Sequence, residues 1–212
     1  KELYRSIVFL RPLGLRLVRL NYRAKDGVIP APYALEEGEQ MSVRDMVKSV
    51  TVSSANDCAT ALAEAISGSE TAFVEKMNAK AKELGATHTH FVNANGLHST
   101  DHYTTAYDLY LIFNEALKLP LFCEIINAQS YTADYTDANG AAKQQVWKVG
   151  NWYLKGDREA PEGVTVLGGK TGTTQAAGYC LIMASDGDDG KEYISVVLKS
   201  ANRPSLYDNM TE

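Results

Sequence analysis

Two short polar motifs carry the residue types that do chemistry. Ser54-Ala55-Asn56, in VTVSSANDCATALAE, puts a hydroxyl and a carboxamide where a helix begins. Lys170-Thr171-Gly172, in VTVLGGKTGTTQAAGYCLIM, puts an ammonium and a hydroxyl on or beside a strand, with a glycine that lets a ligand's backbone approach closely. The second set is an anion-binding arrangement. Neither tripeptide is specific alone, since S-x-N recurs by chance and its plain reading is a helix N-cap.

Other groupings carry less. His88 and His90 flank Thr89, and His98 and His102 stand four apart, but no Cys or Glu nearby completes a ligand set, so loop hydrogen bonding is expected and no metal is assigned. The acidic stretch Asp186-Gly187-Asp188-Asp189-Gly190 lacks the spaced carboxylates and terminal Glu of a calcium loop and reads as a turn. Cys58, Cys123 and Cys180 form no C-x-x-C, so neither a disulfide framework nor a thiolate zinc site is indicated. G-x-G-x-x-G, a P-loop, H-E-x-x-H and G-x-S-x-G are all absent, which removes the anchors for nucleotide, zincin and esterase readings.

The elements that must position the two motifs follow from periodicity and capping. Ser42-Val43-Arg44-Asp45 has capping-box form and predicts a helix through about Val50. A second helix follows Asn56 or Asp57, with Ala59, Leu62, Ala63 and Ile66 on one face and Gly68 at its end. Ser69 caps a third, whose stripe is Phe73, Met77, Ala81 and Leu84, stopped by Gly85. Thr104 or Thr105 opens a fourth that buries Tyr107, Leu111, Ile112 and Leu119, with Pro120 closing it. Beyond Ala128 the pattern turns extended: strands are expected at 130–135, 145–153 and 164–167, then a hairpin of 178–185 and 192–199. Helices followed by strands that must pack on them predict an α+β fold, an antiparallel sheet packed with helices.

The chain of 212 residues, with 45% hydrophobic and 22% charged residues, suits one folded domain rather than disorder or a coiled coil. Its net charge of −5 is unevenly spread: residues 1–25 carry seven basic groups against one acidic, leaving 14 basic against 25 acidic in the rest. An acidic body repels a phosphate backbone, so no nucleic-acid partner is expected. Arginines interrupt every apolar run of the head, which reads as a basic, amphipathic or poorly ordered entry segment over residues 1–32, with a membrane-surface helix as the alternative.

In their surroundings the two motifs become specific. LEEGEQMSVRDM, SSANDCATALAE, FVEKMNAKAKELGATHTHFVNANGL, HYTTAYDL, GGKTGTTQAAGYCL and ISVVL, in that order over about residues 34–203, resemble the serine D-alanyl-D-alanine carboxypeptidases, the low-molecular-mass penicillin-binding proteins. The resemblance implies residues 33–212 form the transpeptidase fold shared with serine β-lactamases, built around three motifs, S-x-x-K, S-x-N and K-T-G. It further implies that S-x-N and K-T-G serve one site, with no metal or organic cofactor. In a complete relative the S-x-x-K serine attacks the carbonyl between two terminal D-alanines, its lysine takes the proton, D-alanine leaves, and water hydrolyses the acyl-enzyme. By this resemblance Ser54 relays a proton to the leaving amine and Asn56 holds the substrate amide or orders the motif lysine. Lys170 supplies positive potential, the Thr171 hydroxyl binds the substrate carboxylate, Gly172 allows close approach, and the Thr173 N–H contributes to an oxyanion hole. Arg203 falls near the place of a carboxylate-binding arginine, in a loosely matching context.

The third motif is missing. No internal lysine has a serine three places before it: Asp45 precedes Lys48, Phe73 precedes Lys76 and Leu167 precedes Lys170. The family's spacing would put S-x-x-K ahead of residue 1, which implies an altered or truncated N-terminus and an inactive chain. Two other readings stand beside this one. A catalytically dead peptide-binding or scaffold domain would keep the groove without the nucleophile. A β-lactamase would need an E-x-x-x-N type loop that nothing between HYTTAYDL and GGKTG resembles. The implied partners are peptidoglycan stem peptides ending in D-Ala-D-Ala, and β-lactams if the nucleophile is present. The implied location, outside the cytoplasmic membrane, rests on that substrate.

Overall fold

Ser42 opens the first helix as its spacing predicts: its Oγ accepts the Asp45 N–H at 3.0 Å and donates to the Asp45 carboxylate at 2.5 Å. The computed structural model describes residues 35–212 and the backbone of a strand, β1 (Leu17–Arg19). The expectation for residues 1–32 otherwise lies outside the described residues. The helices are α1 (Val43–Ser53), α2 (Asn56–Ser67), α3 (Glu70–Glu83), α4 (Ala106–Leu117), α5 (Pro120–Ile126), α6 (Trp152–Lys155) and α7 (Arg203–Thr211). The further strands are β2 (Gln40–Ser42), β3 (Ser130–Thr136), β4 (Ala142–Lys148), β5 (Val164–Thr174), β6 (Gly178–Gly187) and β7 (Glu192–Ser200). Two antiparallel sheets result, ordered β1-β2-β3-β4 and β5-β6-β7, where the sequence reading expected one. Among the described residues no helix is long and apolar enough to cross a membrane.

The chain divides into two compact units interleaved along the sequence. The first takes residues through Lys80 with Phe91–Gly96 and Ser130–Lys148. Here α1 packs on α2 and on the β3–β4 hairpin. Met41, Met46, Cys58, Ala63 and Trp147 are buried to 1% exposure or less, with α1 lying against both α2 and the hairpin. Tyr131 and Trp147 face each other in register, their rings stacked at 6.0 Å, and the Tyr131 hydroxyl donates to Asp45, tying hairpin to helix. Helix α2 ends at Gly68, whose φ of 80° lets its N–H reach the Glu64 carbonyl.

The second unit takes Ala81–His90, Leu97–Gln129 and Val149–Glu212. Its sheet is covered on both faces. Leu181 and Met183 point to α7, against Leu206, Tyr207 and Met210, while Ile182 and Ala184 point to α4 and α5, against Phe113 and Ile126. Two-sided burial accounts for the nearly continuous apolar run of β6. The 187–190 turn closes as turn chemistry predicts, with the Asp189 carboxylate accepting from the Lys191 and Tyr193 side chains at 2.8 Å each. Two of the four histidines enter loop bonds through their rings: the His90 ring donates to the Asp101 carbonyl at 2.6 Å, and the His88 ring meets the Thr87 hydroxyl.

Four expectations need correction. Residues 145–153 do not form one strand: β4 ends at Lys148, and Trp152 and Tyr153 begin α6, capped by the Asn151 side chain on the Tyr153 N–H. Pro120 opens a helix rather than only closing one, because a first-turn position needs no N–H donor. Tyr107 is 67% exposed, not buried: Asp108 turns inward to accept the His88 N–H and the Thr89 hydroxyl, and its helical neighbour is rotated outward. The strand expected at 164–167 runs on to Thr174, and α7 was not anticipated.

Candidate active site

In the first unit, Ser54 stands at the junction of α1 and α2. It is exposed and adopts the left-handed conformation, φ 58° and ψ 42°. A non-glycine residue there costs about 1 kcal/mol. The strain is held by one carbonyl: Ser49 accepts the N–H of both Ser54 and Ala55, as well as the Ser53 hydroxyl. Ser49 is itself anchored by its hydroxyl on the Met46 carbonyl, with no exposed surface. Ala55 is the N-cap of α2 and supplies no side-chain cap, so neither Ser54 nor Asn56 caps the helix, and the plain capping reading of S-x-N does not hold. Asn56, half-buried, is the first helical residue, and its carbonyl accepts from Thr60 at 3.4 Å.

Below this junction the groups are structural. Asp57 is buried and accepts the N–H groups of Leu35 and Cys58, and burial raises its pKa despite those bonds. Burial, with the nearby charges of Asp57 and Glu39, pushes the Cys58 thiol up to about 12, which leaves it inert at neutral pH.

In the second unit, Lys170, Thr171, Gly172 and Thr173 lie inside β5, paired with Ile182, Leu181, Cys180 and Tyr179 of β6. Among the described residues β5 is an edge of its sheet, so its other side is open to pairing. The pleat sends Lys170 and Gly172 to the α4–α5 face, and Thr171 and Thr173 to the α7 face. The Lys170 ammonium donates to the Thr171 carbonyl at 2.6 Å, and desolvation lowers its pKa to about 8. It is a partly desolvated cation at a strand edge. Apart from its chain neighbours, none of the described residues lies within 4 Å of where a Gly172 side chain would start.

Sequence reasoning missed the support behind Thr171. A methyl group built on Gly150 would lie 3.6 Å from the threonine Oγ1, so the turn before α6 backs that hydroxyl. The available signal was Asn151, a capping residue, but it sat inside an aromatic and β-branched run.

Residues 25–202 match the D-alanyl-D-alanine carboxypeptidase family, and the chain belongs to it. It is 40% identical over 148 residues to D-alanyl-D-alanine carboxypeptidase DacF of Bacillus subtilis, covering 69% of this chain and 35% of the relative. It is 31% identical over 190 residues to a D-alanyl-D-alanine carboxypeptidase of Streptomyces sp. strain K15, covering 86% and 63%. Among solved structures, a mutant of the Streptomyces K15 DD-transpeptidase superposes with a TM-score of 0.74 at 30% identity, covering 82% of this chain and 67% of that one. The D-alanyl-D-alanine carboxypeptidase of Mycobacterium tuberculosis superposes with a TM-score of 0.76 at 28% identity, covering 94% and 72%. The α+β architecture is therefore that of the DD-transpeptidases, as the motifs implied. The chain spans about a third to under two thirds of the length of these two curated relatives.

Proposed function

We propose that this chain is the peptide-binding core of a serine-type D-alanyl-D-alanine carboxypeptidase, acting outside the cytoplasmic membrane on peptidoglycan stem peptides that end in D-Ala-D-Ala. The observation that carries this reading is the K-T-G segment: a partly desolvated ammonium, two hydroxyls and an unfilled glycine position on an edge strand. A C-terminal peptide laid along β5 would gain main-chain hydrogen bonds, and its carboxylate would meet the Thr171 hydroxyl in the field of Lys170. Gly172 leaves room for that backbone, and the Thr173 N–H would stabilise charge on the scissile carbonyl oxygen. Ser54 would pass a proton to the departing D-alanine nitrogen, and Asn56 would hold the substrate amide. β-Lactams would occupy the same groups.

Turnover requires a nucleophile, and no internal lysine in the 212 residues has a serine three places before it. That observation favours, for these residues by themselves, a domain that binds the stem peptide without cleaving it. The test is to incubate the chain with an N-acylated peptide ending in D-Ala-D-Ala and, separately, with benzylpenicillin. The expected result is saturable binding of the peptide, no D-alanine release above buffer, and no mass increase with penicillin. Release well above buffer would overturn the view that these residues lack a nucleophile. Equal affinity for the peptide and for its C-terminal amide would overturn the assignment of the carboxylate site.

A further inference from the structure

The turn before α6 joins the K-T-G strand to the C-terminal helix. On one side, the α-carbon of Gly150 faces the Thr171 hydroxyl, a methyl group there lying 3.6 Å from Oγ1. On the other, Asn151 is 1% exposed, its Oδ1 accepting the Tyr153 N–H at 3.0 Å while the Tyr207 hydroxyl approaches at 3.5 Å. Tyr207 has no exposed surface. Its hydroxyl accepts the Trp152 N–H at 2.8 Å, and its ring stacks on Trp152 with centroids 4.8 Å apart.

Capping α6 needs only the Asn151 oxygen, and a serine would supply one. The side chain nevertheless buries an amide nitrogen, Nδ2, that has no hydrogen-bond partner among the described residues, which is unfavourable for a group that only caps. We infer that Asn151 is a positioning residue for Thr171: its planar carboxamide locks the Gly150–Trp152 turn against Tyr207 and so holds the Thr171 hydroxyl at one place on the β5 edge. As a statement about the substrate carboxylate this rests on the proposed function; as a statement about Thr171 it does not. Asn151 acts through the turn and touches no ligand.

The test uses Asn151→Ser, which keeps a capping oxygen and removes the amide. In the ligand-free protein with labelled threonine methyls, the Thr171 resonance, assigned by its loss in Thr171→Val, is expected to shift or split, while Thr51 and Thr132 stay in place. An unmoved Thr171 resonance would overturn the inference and leave Asn151 a helix cap. With ligand, the parent is expected to prefer the D-Ala-D-Ala peptide to its C-terminal amide by about tenfold, and the variant by about twofold or less, with affinity for the amide kept. Parallel loss of both affinities would also overturn it. If the parent binds neither peptide, the proposed function fails and the ligand-free resonance alone decides the inference. Should Asn151→Ser not fold, Asn151→Thr, which also keeps a capping hydroxyl and lacks the planar group, is read in the same way.

Discussion

Gly172 and Cys180 are partners across the β5–β6 pair, and apart from its chain neighbours none of the described residues comes within 4 Å of where a Gly172 side chain would start. The neighbouring glycines differ. A methyl on Gly168 would lie 2.5 Å from the Ile126 carbonyl oxygen, and one on Gly169 would strike the Ile182 carbonyl. The packing of the described residues requires glycine at 168 and 169 but not at 172, where, on the proposed function, its absence of a side chain leaves room for the bound peptide.

Gly172→Ala is therefore expected to leave the melting temperature within about 2 °C of the parent and to weaken D-Ala-D-Ala peptide binding by about tenfold or more. Gly169→Ala is expected to cost about 3 kcal/mol, because a backbone carbonyl cannot move aside as a flexible side chain could. Thermal melting and peptide titration on both variants check this. Unchanged peptide affinity in Gly172→Ala would count against a ligand at that position.

The Lys170 ammonium, with its pKa lowered to about 8 by desolvation, should lose its charge within an accessible range. Affinity for the carboxylate-terminated peptide is expected to fall between pH 7 and pH 9, about a unit to either side of that value, and Lys170→Met should abolish the step. Stability moves the other way. The folded pKa lies below the ordinary 10.5, so between about 8 and 10.5 the unfolded chain binds more protons, and this group's contribution to stability rises with pH through that window. Denaturant titrations of parent and Lys170→Met across it check the sign.

Ser54 and Lys199 are the two described non-glycine residues with positive φ, 58° and 59°. Replacing either by glycine is expected to stabilise the fold by up to about 0.5 kcal/mol, relief of strain exceeding the entropy glycine adds to the unfolded chain. Ser54→Gly should lose function in a form carrying the nucleophile, whereas Lys199→Gly should not. If Ser54→Gly is both more stable and fully active, the strain at Ser54 serves no chemistry.

Asp108 is expected to be the costliest carboxylate to remove. It is buried, and although burial opposes its charge, bonds from the Thr89 hydroxyl at 2.7 Å and the His88 N–H at 2.8 Å hold its pKa below 3.8. Asp108→Ala strands both donors and is expected to cost about 3 kcal/mol. The sign follows from the lowered pKa: the contribution is present above about pH 4 and is lost as pH falls through the folded value. Acid denaturation of parent and Asp108→Asn, which keeps an acceptor but cannot titrate, checks it.

What could be read without coordinates was local. The Ser42–Asp45 capping box, the Gly68 stop and the β6–β7 hairpin all depend on groups a few residues apart, so spacing alone announces them. The two polar motifs were legible only together and in their surroundings, because either tripeptide alone recurs by chance and S-x-N reads plainly as a helix N-cap. Family membership followed from their order along the chain.

Tertiary contact decided the rest. Residues 149–153 carry a strand-like pattern, yet they turn and coil because Tyr207, more than fifty residues later, stacks on Trp152 and accepts its N–H. Tyr107 sits where helical period would bury it, yet it faces solvent because Asp108 finds its donors in a loop twenty residues earlier. The chemistry of the motifs shows the same division. That Lys170 is a lysine was plain from the chain. That its ammonium is desolvated, and that Gly172 meets none of the other described residues while Gly169 meets a carbonyl, depends on what the fold packs around β5, since burial is a property of neighbours distant in sequence.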